Sequence, residues 1–163
     1  MTKRKGRMDF SIALGVVGGI VLALIIFSSC SAFITWKRNR LVEAYRNGEG
    51  NVVREGYLAK ENIRRFHTAT SDSFTYLEIE LLQENGELKF IGLAICGENL
   101  KVLQERGFFE AIENGVTVTM IINDLSWAHD NFNCPLFEMK SETEVYLDYE
   151  TGLNNWIEYL LSN

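Results

Sequence analysis

The residues best equipped for chemistry lie in one short stretch, Trp127-Ala128-His129-Asp130-Asn131-Phe132-Asn133-Cys134. An imidazole, a carboxylate and a thiol placed so close could ligate a metal, with His67 as a fourth donor. Zinc frames, however, pair their ligands at i, i+3 or i, i+4, and this spacing matches none of them. Cys134 with His129 or His67 would make a nucleophile pair, but cysteine and histidine co-occur in most chains and the pairing carries no specificity. Glu78, Glu80, Glu84 and Glu87 sit on or beside one hairpin. Paired carboxylates can do acid–base work, whereas alternating glutamates on a strand are ordinarily its solvated face. There is no P-loop, G-x-G-x-x-G, G-x-S-x-G or H-E-x-x-H motif. The chain reads as non-enzymatic, with no cofactor and no metal. Trp127, His129, Asp130 and Asn131 stand as a candidate binding loop, held to the surface by Trp127 and Phe132.

The elements that would position such a loop are set out by charge and hydropathy. Residues 1–40 carry Lys3, Arg4, Lys5, Arg7, Lys37, Arg38 and Arg40 against Asp9, a net of +6; the whole chain is −6, so residues 41–163 hold −12. A domain this acidic repels phosphate backbones and anionic lipid headgroups, which argues against nucleic acid and for a soluble surface or a basic partner. The three cysteines, Cys30, Cys96 and Cys134, make no C-x-x-C pair. A Cys96–Cys134 bridge would require an oxidising compartment.

Phe10 to Trp36 contains no charged residue. As a helix this run is about 40 Å long, and a bilayer core needs only about 20 residues. Basic clusters bound both ends, with Trp36 at an interfacial position. The run is too long for the apolar core of a cleaved signal. Phe27-Ser28-Ser29-Cys30 is a degenerate lipobox followed by apolar rather than polar sequence. An uncleaved transmembrane helix fits best, with lipidation at Cys30 and cleavage as the alternatives. Lysine and arginine nearly balance across it, so orientation rests on the default for an N-terminal segment: N-terminus cytoplasmic, domain extracytoplasmic. Ser11, Gly15, Gly19 and Ala23 recur every four residues and could let two such helices pack closely; small residues are also simply common in membrane helices.

Beyond the anchor, Asn47-Gly48-Glu49-Gly50 ends a helical continuation. Val52–Phe66 reads as a long, bent first strand, with a helix as the alternative. Phe74–Gln83 alternates cleanly, Asn85-Gly86 is a hairpin turn, and Leu88–Cys96 is its partner, covered on both faces. Gly97 opens a helical stretch interrupted at Gly107 and stopped at Asn114-Gly115. Val116–Asn123 is another strand. Phe137–Lys140 and Thr143–Tyr149 form a last hairpin. Thr151 caps a closing helix whose apolar face is Leu153, Trp156, Ile157, Leu160 and Leu161.

This order is α+β: an N-terminal transmembrane helix, then a small β-rich barrel with a helix between strands 3 and 4 and a C-terminal helix. The hairpin Tyr76–Ile95, the helix before Val116–Ile122 and the segment Val145-Tyr146-Leu147-Asp148-Tyr149-Glu150-Thr151-Gly152 resemble an OB-fold-like domain of the small, membrane-anchored, largely uncharacterised bacterial kind. The resemblance is one of pattern and covers most of residues 52–152. It implies a five-stranded barrel; OB barrels often bind oligonucleotides, but fold does not imply function.

The expected organisation is a basic tail (1–9), a transmembrane helix (10–36), a juxtamembrane linker (37–50) and a soluble β-rich domain (51–163). The expected partners are the lipid bilayer and a protein, with self-association through the transmembrane helix as a further contact. The expected function is a protein-binding or assembly module near the membrane. The alternatives are an OB-like nucleic-acid-binding domain, or an unrecognised hydrolase with His129, Asp130 and Cys134 in one pocket.

Overall fold

The computed structural model describes residues 5–68, 74–125 and 134–162, with side chains of the N-terminal helix from residue 19 onward apart from Leu24. The chain forms two compact units, Met1–Arg40 and Leu41–Asn163.

Helix α1 (Lys5–Arg46) supplies the first unit up to Arg40. It is long and apolar enough to cross a membrane. Ile20, Leu22, Ile25, Phe27, Phe33 and Ile34 are all exposed on it. Two of its hydroxyls bond back to the helix: Ser29 Oγ donates to the Ile25 carbonyl at 2.8 Å and Thr35 Oγ1 to that of Ser31 at 3.0 Å. A helix in hydrocarbon needs such local partners, because no water is there to supply them. At the end of the first unit Arg40 lies over the Trp36 ring, 5.6 Å from the centroid.

The second unit is a closed barrel. Its strands are β1 (Asn51–Leu58), β2 (Ile63–Thr68), β3 (Phe74–Leu82), β4 (Leu88–Cys96), β5 (Val116–Asn123), β6 (Cys134–Lys140) and β7 (Val145–Leu147). Helices α2 (Gly97–Glu105) and α3 (Phe108–Glu113) connect β4 to β5, and α4 (Tyr149–Ser162) ends the chain. The pairing runs β1-β5-β6-β4-β3 and returns to β1 through one register pair, Tyr57 opposite Leu82. All of these neighbours are antiparallel except β4 and β6, which pair in parallel at Leu93–Cys134 and Ala94–Pro135. The expected long first strand is two strands, β1 and β2, bent apart by a 3-10 turn at Lys60–Asn62. β1 lies along β5, whereas β2 lies along β3. The α+β class, the apolar N-terminal helix, the barrel and the closing helix are thus all present.

Period-two alternation explains the barrel wall. Leu77, Ile79 and Leu81 of β3 point inward with Leu93 of β4 and Val118 and Met120 of β5, all fully buried. Leu103, Phe108 and Ile112 of α2 and α3 join this cluster. The outer faces of β4 and β6 carry a second cluster, where Ala94, Cys96 and Phe137 lie beneath Trp156 of α4 and Leu41 and Tyr45 of the last turns of α1. Tyr45 is fully buried and meets Phe137 edge-on, with centroids 5.4 Å apart. The segment expected to be linker therefore also furnishes core: Leu41, Val42, Ala44 and Tyr45 are all buried.

Two local expectations change. The closing helix begins at Tyr149, and its N-cap is Asp148, whose Oδ1 accepts the Thr151 N–H at 2.9 Å. Thr151 is inside the helix because an aspartate accepts that bond better than the threonine that follows. β4 is covered on both faces only in its second half, since Leu88 and Phe90 are exposed. Cys96 and Cys134 are both free thiols on opposite sides of the barrel wall. Cys96 packs in the outer cluster and Cys134, opposite inward-facing Leu93, against the interior one; two such side chains point apart and cannot bridge.

Candidate functional site

The candidate binding loop of Trp127, His129, Asp130 and Asn131 lies outside the described residues. Its neighbour Cys134 is half-buried, and burial raises its thiol pKa, as does the nearby Asp124. A raised pKa is the wrong direction for a nucleophile. Cys96 is pushed up to about 11 by the same burial. His67 stands exposed on β2 opposite Tyr76 of β3. Among the described residues no three His, Cys, Asp or Glu side chains gather as a metal site would need.

The small-residue stripe Ser11, Gly15, Gly19 and Ala23 falls on α1, where four-residue spacing keeps one face. Gly19 has open space where a Cβ would stand, and Ala23 is exposed.

The hairpin glutamates separate into two groups. Glu78 and Glu80, on the outer face of β3, are paired with Arg65 and Arg64 of β2. Those pairs leave β3's outer surface with little net charge. Glu84 and Glu87 lie instead at the turn, beside an open cleft of about 930 Å³. This cleft was not legible in the sequence.

The cleft arises from how the barrel closes. β1 and β3 meet at a single register pair and then part, β1 continuing along β5 while β3 turns back at Glu84–Glu87. Gly56 makes the meeting feasible: a Cβ there would stand 2.9 Å from both the Leu82 carbonyl and Gln83 Nε2. Gln83 Nε2 donates to the Glu55 carbonyl at 2.9 Å, fastening the seam. Gly86, at φ +82°, allows the tight turn, with its N–H bonded to the Gln83 carbonyl at 2.9 Å.

One apolar row crosses the cleft. Thr117 of β5 faces Tyr57 of β1, Tyr57 faces Leu82 of β3, and Leu82 faces Leu88 of β4. Tyr57 and Leu82 are 39% and 38% exposed and Leu88 is 53% exposed, so the row is open to solvent rather than folded into the core. Phe90, two residues beyond Leu88 on the same face, is half exposed as well. Tyr57 has a fixed berth: its ring lies where a Cβ on Gly115 would be, so only glycine at 115 leaves room. The rim carries Glu55, Glu84 and Glu87 against one ammonium, Lys89. Among the described residues none of these four makes an ion pair. The sequence signals that could have found the site are the glycine interrupting β1 at position 56 and the unalternated pair Leu81-Leu82, which puts one leucine outside.

Comparison with protein families, with curated proteins and with solved structures gives no match to this chain.

Proposed function

We propose that the chain is a single-pass, membrane-anchored protein whose acidic barrel is a protein-binding or assembly module without catalysis of its own. The observation that carries this reading is the exposed row Tyr57-Leu82-Leu88, seated in a cleft with carboxylates on its rim. Burying a leucine is worth roughly 1.5–3 kcal/mol, so a row left in water at a built cleft is stabilisation held for a partner. The exposed apolar length of α1 supports the anchor: in water those side chains would forfeit the same energy many times over, and a bilayer removes the loss. The working orientation is N-terminus cytoplasmic and domain extracytoplasmic.

We read the barrel as OB-like. Counting β1 and β2 as one bent strand, its closure through a parallel pair and the helices between the third and fourth strands support that reading. The same order favours nucleic-acid binding as the second reading. A charge of −12 opposes it, because nucleic-acid affinity is dominated by cations neutralising phosphates. The domain of residues 41–163 should show no salt-sensitive binding to single-stranded DNA or RNA, and steeply salt-dependent binding would replace the protein-binding reading.

The direct test is photocrosslinking of the full chain in its native membranes, with the photoreactive group at Leu88. Adducts to a partner protein are expected there, lost on Leu82→Asp. Val145, equally exposed on β7, is the control. No adduct at Leu88, or equal adducts at Val145, would refute the reading.

A further inference from the structure

We infer that the cleft receives an extended, cationic segment of the partner, in which apolar side chains alternate with lysine or arginine. The inference rests on the protein-binding reading and names the chemistry of the occupant.

Charge gives the sign. Glu55, Glu84 and Glu87 are exposed carboxylates around the row, and Lys89 alone opposes them. The acidic surface elsewhere on the hairpin is already met from within, Glu80 by Arg64 and Glu78 by Arg65. On this hairpin the glutamates of the β3 outer face are paired, whereas Glu84 and Glu87 at the turn, and Glu55 beside them, make no ion pair among the described residues. An approaching ammonium or guanidinium finds complementary potential there, while an acidic or phosphorylated segment is repelled.

Shape gives the form. Small-molecule sites usually enclose most of their ligand; this cleft is open and is lined by β1, β3, β4, Thr117 of β5 and the turn between β3 and β4. Tyr57, Leu82 and Leu88 occupy three neighbouring strands, so the row spans two strand spacings, about 10 Å. An extended chain covers that length in about three residues at 3.3 Å each. Side chains of an extended segment alternate in direction. Apolar groups two apart can then seat on the row while the cations between and beside them reach Glu55, Glu84 and Glu87, which the register places on the turn side of the row. Leu88 and Phe90 lie on the same outer face of β4, so the apolar surface continues past the row by one more contact.

The probe is a fluorescent peptide of alternating lysine and leucine, with its glutamate-for-lysine counterpart, titrated against the full chain in nonionic detergent. The cationic peptide should bind saturably and weaken as salt is raised. The triple variant Glu55→Lys, Glu84→Lys, Glu87→Lys should lose roughly tenfold or more in affinity, and the uncharged Leu88→Ser a comparable factor, while Lys89→Ala should bind at least as well. All of these positions are exposed, and an unchanged thermal melt verifies that each variant is folded. Equal binding of the two peptides, no binding of the cationic one, or an affinity unmoved by the charge reversal overturns the inference. If Leu88 adducts in native membranes persist in that case, the protein-binding reading stands and its partner is of another chemistry. If they too are absent, both fall. A second copy of the chain competing for the cleft, seen as concentration-dependent self-association lost on Leu88→Asp, also overturns it.

Discussion

Replacing Trp156 by alanine tests whether the closing helix is core or interface. The indole is 4% exposed and lies among Leu41, Tyr45, Ala94, Cys96 and Phe137, with Tyr159 5.3 Å away by ring centroids. Tyr45 is buried deeply enough that its phenol titrates well above its ordinary value, with hydrogen bonding to Trp156 opposing the shift. The floor of this cluster is the barrel wall, which cannot collapse into a cavity. A large-to-small change there should cost about 3–5 kcal/mol. Unfolding entropy near 2.1 cal/mol/K per residue gives a domain of this size about 0.26 kcal/mol/K, so Tm should fall by about 12–19 °C. The assay is a thermal melt of residues 41–163. Leu161 is the internal control: it shares the sequence's apolar helix face but is 51% exposed, so Leu161→Ala should move stability by only about 0.5 kcal/mol. A Trp156→Ala shift near zero, or equal shifts for the two variants, would refute the packing argument and make this helix a second docking surface.

Three further outcomes follow from the same structure. A domain starting at residue 41 should be more stable than one starting at residue 47 by about 3 kcal/mol or more, because the shorter chain lacks Leu41 and Tyr45 and uncovers Phe137 and Trp156; equal denaturant midpoints would show that the last turns of α1 are dispensable. Gly152→Ala should cost about 2 kcal/mol or more by chemical denaturation, since its methyl would run into the Phe137 carbonyl, a backbone atom that cannot step aside; an unchanged midpoint would mean α4 does not press on β6. Asp148→Ala should cost about 1 kcal/mol through loss of the α4 cap. The carboxyl is held below its ordinary range by the Thr151 backbone N–H and by Arg106. A lowered folded-state pKa means this stabilisation is present above the unfolded value, about 3.9, and is lost as pH falls through the folded one. The gap between wild type and variant should therefore close on acidification, and a gap that widens would contradict the assignment.

Local chemistry was enough to read the apolar helix, the alternation of β3, β4 and β5, and the breaks at Asn85-Gly86, Gly107 and Asn114-Gly115. Each is written in a few consecutive residues, as a side-chain period or a backbone conformation that glycine tolerates. The same pattern identified Trp156 and Ile157 as buried-type residues. It could not tell that Leu161, on the same helix face, would be left in solvent, because periodicity marks which side of an element is apolar and says nothing of what covers it. Barrel closure at Tyr57–Leu82, the use of Leu41 and Tyr45 as core, and the outward turn of Leu88 and Phe90 depend on contacts between residues far apart in the chain. So does the cleft, which exists only because β1 and β3 touch at Gly56 and then diverge. Those outcomes are decided by which surfaces fit once all strands are assembled. That is a property of the folded shape, and no local stretch of the sequence carries it.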